Sequence, residues 1–164
     1  MIYMYVGDSR NVVKRIIMCH CNGNVEASAL RKAIAEAMGY RLRKSRRKSG
    51  SVRVRIDLPN PNEGEAKISS YIRSGKWKYV VCHSYAEAHD FQWYAISQLK
   101  PLLNKRIKPW DTSRSERYQE LFTQMLKSQP LGCNELYGRP TGPGVYLLLH
   151  QHAPSEFYRW LEEV

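Results

Sequence analysis

The stretch Tyr3-Met4-Tyr5-Val6-Gly7-Asp8-Ser9-Arg10-Asn11-Val12-Val13-Lys14-Arg15-Ile16 decides how this chain is read. Ile2, Met4 and Val6 alternate with Tyr3 and Tyr5, the period of a strand. Gly7 lets the backbone turn. Ser9 or Asn11 can cap a helix carrying Val12, Val13, Ile16 and Ile17. Strand, glycine turn and helix in that order put Tyr5 at a strand end and Arg15 one or two helical turns away. A phenol and a guanidinium brought together at a turn suit a phosphate. The tyrosine can move a proton, and the arginine offers a two-pronged hydrogen bond to phosphate oxygens. An ordinary βα turn with a salt-bridging arginine would read the same way, so this stretch alone does not separate the two.

Composition narrows the choice. The chain has 164 residues, enough for one domain with a real core, and 43% are hydrophobic, which argues against disorder. Its formal charge of +11, from 26 Lys and Arg against 15 Asp and Glu, points to a polyanionic partner, nucleic acid before an anionic membrane. No apolar run reaches bilayer length and no basic segment precedes an apolar N-terminal stretch, so a cytoplasmic location and no membrane partner are expected. Cys19-His20-Cys21 and Cys82-His83 lack the two-to-four-residue separation of cysteines typical of structural zinc; reduced cysteines are expected.

Further along, Asn24 to Met38 has one apolar face and reads as a helix stopped by Gly39. Arg41 to Arg55 then carries eight basic residues and no acidic one: Arg41, Arg43, Lys44, Arg46, Arg47, Lys48, Arg53 and Arg55. Its first part reads as a mobile loop. Its second part, Ser51 to Ile56, alternates as a strand with one basic face. So dense and one-sided a run suits phosphates. A short helix over Glu65 to Ser74 and a strand over Trp77 to Cys82 follow. Capping boxes at Ser84-Tyr85-Ala86-Glu87 and Ser113-Arg114-Ser115-Glu116 open two more helices. Gly144 to Leu149 is a last strand, and Pro154 starts a terminal helix with Phe157, Trp160 and Leu161 on one side. The pattern is an α/β (α+β) sandwich of modest size, spanning 1–164 as a single domain with a basic insertion at about 40–60 and an extra helix at about 113–128.

Two of these motifs add up. Tyr5-Val6-Gly7, with Arg15 eight residues beyond the glycine, resembles the second half of the GIY-YIG nuclease motif. Ala86 to Asn104 resembles that family's later helix, with Gln92 at the glutamate position, then Lys100-Pro101 and Asn104 at matching intervals. Ser28 to Ile34 resembles a helix of bacterial members. The resemblance covers residues 3 to 104. It implies a small three-stranded antiparallel sheet flanked by helices, and hydrolysis of phosphodiester bonds in DNA. Tyr5 would be general base with Tyr146 beside it, Arg15 would hold the scissile phosphate, and Asn104 would order the site. Gly7 and Gly144 would let backbones pack closely. Mg²⁺ or Mn²⁺ would sit at the position of Gln92, and the basic segment would grip double-stranded DNA. A homodimer is left open.

The chain departs from the pattern in three places. The opening Gly-Ile-Tyr strand should precede Tyr5, and Gly144-Val145-Tyr146 fits that pattern instead, which implies a permuted order with 144–149 beside the first strand. Gln92 keeps the shape of the expected glutamate and loses its charge. With the other motif positions kept, an engineered exchange is favoured over natural decay. Glu87, five positions earlier, points elsewhere on the helix. Relatives place a histidine or tyrosine four residues after the arginine; here that is Cys19, and His20 stands one residue later, about 100° further round an α-helix. The leading reading is a metal-dependent endonuclease of restriction or phage type, with Gln92 making this form inactive. The alternative is a non-catalytic nucleic-acid-binding module, either a decayed nuclease or an RNA-binding protein.

Overall fold

A computed structural model describes residues 1–164. Strands β1 (Ile2–Ser9), β4 (Lys76–Val81) and β5 (Gly144–His150) form an antiparallel sheet in the order β1-β5-β4. Every residue of β5 is buried. A central strand covered on both faces needs a continuous apolar run rather than alternation, and Val145-Tyr146-Leu147-Leu148-Leu149 supplies it. Its register sets Tyr146 opposite Gly7 on one side and Tyr79 on the other. The expected pairing of 144–149 with the first strand is therefore present.

Helices cover both faces. On one side lie α1 (Val12–Lys14) with its continuation to Cys21, α2 (Ala29–Ala37), α3 (Pro61–Arg73) and α6 (Pro154–Glu163), packed over Met4, Trp77, Tyr146 and Leu148. On the other side α4 (Tyr85–Leu99) and α5 (Ser115–Lys127) pack over Val6, Val80, Val145, Leu147 and Leu149. This is an α/β arrangement with the three-stranded antiparallel sheet flanked by helices that the resemblance implies. No helix is long and apolar enough to cross a membrane.

Caps fix the helix starts. Asn11, rather than Ser9, accepts from Lys14 N at 3.1 Å and so starts α1. Ser28 caps α2, Asn60 caps α3 ahead of Pro61, and Ser84 caps α4 through Glu87 N. The helix read from Asn24 is shorter, because Asn24 holds a turn through Glu26 N and Ala27 N before Ser28 takes over. The second capping box is not used. Asp111 takes Ser113 N at 3.0 Å and the Ser113 hydroxyl at 2.6 Å, so α5 is preceded by one 3₁₀ turn. The carboxylate outcompetes the hydroxyl as acceptor.

Four expectations need correction. Ile2, Met4 and Val6 do not share one face: register shifts between Tyr3 and Tyr5, so Met4 and Tyr5 both face the α2 side while Val6 faces α4. The first part of the basic segment is not a loop. Leu42–Arg46 (β2) and Val52–Ile56 (β3) form an antiparallel hairpin, organised by Glu26, which accepts from Val54 N and pairs with Arg47 and Arg55. Two cysteines are not free: Cys21 and Cys133, with Cα atoms 6.5 Å apart, form a disulfide joining the end of the first helix to the loop before β5. Finally, the terminal helix buries only Phe157 of its three large apolar residues, with Trp160 and Leu161 at 37% and 45% exposure.

Candidate functional site

The site begins where β1 meets β5. A Cβ on Gly7 would lie 2.5 Å from the Tyr146 hydroxyl, so only glycine leaves that phenol its place. Gly144 does the same for the neighbouring strand, where a Cβ would run into the Val80 carbonyl. The Met4 bulge then turns Tyr5 onto the Tyr146 face, with ring centroids 6.4 Å apart.

The first helix supplies the next two groups. After one α turn it continues as a π-helix over Arg15–Cys21. Its bonds run from i to i+5, as in Asn22 N to Ile17 O at 3.1 Å. Position 20 therefore comes back over position 15, and the extra residue before the histidine is absorbed. His20 is buried, with Nε2 2.7 Å from the Tyr146 hydroxyl and Nδ1 2.6 Å from the Ser28 hydroxyl. Burial, with Arg15 and Arg31 nearby, pushes its pKa down to about 3, so the ring is neutral. Arg31, itself buried and paired with Glu65 at 3.0 Å, donates to the His20 carbonyl and fixes the end of the π segment.

The Arg15 guanidinium lies near Tyr146, and its Nη1 donates to the Cys19 sulfur at 3.7 Å. Its Nε is buried and has no partner. A buried guanidinium N–H left unpaired is costly unless something else accepts from it. Burial raises the Tyr146 phenol strongly and Tyr5 less so, with Arg15 pulling both back. Tyr5, the less buried of the two, faces open space.

That space is a cleft of about 580 Å³ lined by Tyr5, Gln92, Trp93, Asn104, Lys105 and Arg106 on one side and by α2 on the other. Asn104 accepts from Val6 N at 2.8 Å and donates to Val6 O at 3.0 Å, closing the outer edge of β1. A second groove, lined by Tyr40, Arg41, Leu42 and Lys44, shares Lys32 and Glu36 with the first. The cleft thus runs on to the basic hairpin. There Arg41, Lys44, Arg46, Lys48 and Arg53 are exposed without an acidic partner, whereas Arg47 and Arg55 are engaged by Glu26 and Arg43 by Asp57.

Position 92 is different. The Gln92 amide donates to Asp8 Oδ2 at 2.6 Å, and His89 Nδ1 lies 2.7 Å from the same oxygen. Glu87 offers no substitute, because its carboxylate is buried against Arg114 and Arg117 at 3.0 and 3.1 Å. Nowhere do three His, Cys, Asp or Glu side chains converge as a metal site. Gln92 by itself does not fit the metal-binding role that the resemblance implies. Sequence reasoning missed Asp8 and His89, and also Lys32, Lys105 and Arg106 along the cleft. Only the adjacency of Asp8 to Gly7 pointed to any of them.

No curated protein and no solved structure matches the chain. A family described as the GIY-YIG catalytic domain matches residues 1–126, which include β1, the π segment, the hairpin and α4 but not the central strand β5. With that match over most of its length, the chain belongs to the GIY-YIG catalytic domain family.

Proposed function

We propose that this chain is a DNA-binding protein on a GIY-YIG nuclease framework, which holds a phosphodiester at Arg15 and cuts it slowly or not at all while position 92 is glutamine. The observation that carries the reading is the unpartnered, buried Arg15 Nε beside two tyrosines, near a groove that continues to an unneutralised basic hairpin. In this reading β5 takes the place of the family's opening Gly-Ile-Tyr strand, and Tyr146 that of its tyrosine. Arg15 donates to phosphate oxygens. Tyr146, neutral through burial, orients Arg15, and neutral His20 holds Tyr146. Tyr5, open to the cleft, positions water and takes its proton. Asn104 acts on β1 rather than on substrate.

The hairpin supplies sequence-independent affinity through phosphate contacts. A combined Arg46→Ala, Lys48→Ala and Arg53→Ala variant should weaken duplex binding. It should also flatten the dependence of log affinity on log salt by about 0.9 for each phosphate no longer neutralised. An unchanged slope would show the hairpin to be merely solvated. Arg43 and Arg47 are poorer targets than their place in the basic run suggests, since both already have carboxylate partners. The endonuclease reading without modification is the second one. It draws on the same tyrosine and arginine geometry, and on the carboxylate of Asp8 beside position 92.

A further inference from the structure

We propose that Tyr85, His89 and Trp93, a run of aromatic rings along one face of α4, form a stacking platform for the unpaired bases of a DNA single strand that leaves the cleft. Where that strand comes from rests on the DNA-binding reading above; whether the rings hold unpaired bases does not.

The three rings stand four residues apart, so α4 carries them one above the other. Successive ring centroids are 5.9 and 6.3 Å apart. The helix packs on the sheet through other residues, Phe91, Tyr94 and Ala95 among them. His89 has 54% of its side chain exposed, and Tyr85 and Trp93 are half-buried. The stripe is therefore not core. Asp8 holds two of its rings: Oδ1 accepts from the Tyr85 hydroxyl at 3.4 Å, and Oδ2 lies 2.7 Å from His89 Nδ1. Rings fixed before a ligand arrives lose little freedom on binding it.

Cations sit at both ends of the run. The Arg10 guanidinium lies 4.4 Å from the Tyr85 ring centroid, and Lys108 Nζ lies 5.3 Å from that of Trp93. Both are exposed and neither pairs with a carboxylate; the same holds for Arg106, which lines the cleft with Trp93. A cation resting on a ring keeps its charge for a phosphate, and rings interleaved with cations are what single strands bind. The spacing selects against a duplex. Bases in a stacked strand follow one another at about 3.4 Å. These rings are nearly twice as far apart and are tilted to one another by 33° and 86°. Paired, stacked bases cannot meet them, whereas a flexible strand can turn one base to each ring. Trp93 shares the cleft with Tyr5, so the platform begins at the site and runs about 12 Å along α4 to Tyr85.

The test is fluorescence anisotropy of labelled DNA with the full chain in EDTA. A blunt duplex is compared with the same duplex carrying a tail of about ten thymidines, within the usual span of a single-strand site, on its 3′ or its 5′ end. A third set carries tails of the same length without bases. A tail with bases should tighten binding by at least about tenfold at one of the two ends, since each stacked base contributes roughly five- to a hundredfold, and a tail without bases should do much less. Tyr85→Leu and Trp93→Leu keep bulk and lose the ring. Each should lower the ratio of tailed to blunt affinity by about fivefold or more, and Tyr85→Phe should keep it. A ratio near one, a tail without bases that works as well, or a ratio untouched by both leucine variants would overturn the platform. A ratio lost equally in Tyr85→Phe would assign the effect to the hydroxyl and overturn it too. Blunt-duplex binding with no gain from a tail would sink this proposal and spare the DNA-binding reading. Ring-dependent binding of the tail by a chain with no affinity for blunt duplex would do the reverse.

Discussion

Two corners of one cleft are built on different principles. At the tyrosine corner, shape decides: Gly7 makes room for the Tyr146 hydroxyl, a bulge turns Tyr5 toward it, and a π-helix brings His20 back over Arg15. Arg15 is the one charged group among them, and His20 and Tyr146 are held by hydrogen bonds at 2.6 and 2.7 Å. At the position 92 corner, charge decides, and the carboxylate that the resemblance implies is absent. An amide occupies the expected carboxylate position, and the nearby carboxylate belongs to Asp8 on another element. Shape depends on many packed residues acting together, so it survives single exchanges. Charge sits on one atom group and can be removed by one isosteric change.

The comparison breaks most severely if the framework of the tyrosine corner is attacked from behind. Glu65→Ala leaves Arg31 buried and unpaired, and loss of one partner of a buried pair costs roughly 3–5 kcal/mol. A melting temperature lower by roughly 6–20 °C is expected, at about 2–4 °C per kcal/mol for a chain of this size. A loss of a degree or two would mean that Arg31 finds water.

Acid should separate the corners next. His20 has a pKa of about 3 when folded and about 6.5 when unfolded. Between those values the unfolded chain binds a proton that the folded chain does not. Stability from this group is therefore complete above pH 6.5 and falls as the pH drops, by roughly 3 kcal/mol at pH 4. His150, lowered to about 4 chiefly by burial, adds in the same direction. Denaturant melts from pH 7 to 4 should show this slope, and His20→Gln should remove His20's share of it.

A smaller effect is expected from Gly7→Ala. The new methyl would displace Tyr146 at a cost of about 1–3 kcal/mol, as for other overpacked cores. If Tyr146 orients Arg15 as proposed, duplex affinity should fall with it. Stability loss with unchanged DNA binding would show that Tyr146 is only packing.

Much of this was legible in the sequence, for identifiable reasons. β5 declared itself as a continuous apolar run after a Pro-Gly turn, and its pairing with β1 was expected from the Gly144-Val145-Tyr146 pattern. The bulge did not declare itself, because Ile2, Met4 and Val6 alternate perfectly on paper. The π segment was hidden by Val12, Val13, Ile16 and Ile17, which fit an α-helix just as well. The hairpin was hidden because its organiser, Glu26, is distant from Arg47 by 21 positions and from Val54 by 28. Asp8 looks like a plain turn residue in the sequence, since its partners lie 81 and 84 positions away on α4.

The most direct test is cleavage of genome-length duplex DNA with Mg²⁺ by the chain as it stands and by Gln92→Glu. A carboxylate at position 92 would hold an ion whose charge would stabilise phosphoryl and leaving-group oxygens, a contribution of several kcal/mol, so cutting should rise by roughly a thousandfold or more. Both forms should bind the same DNA. A Gln92→Glu chain that binds but does not cut, or an unmodified chain that cuts equally fast, would contradict the claim that one missing charge holds this site idle.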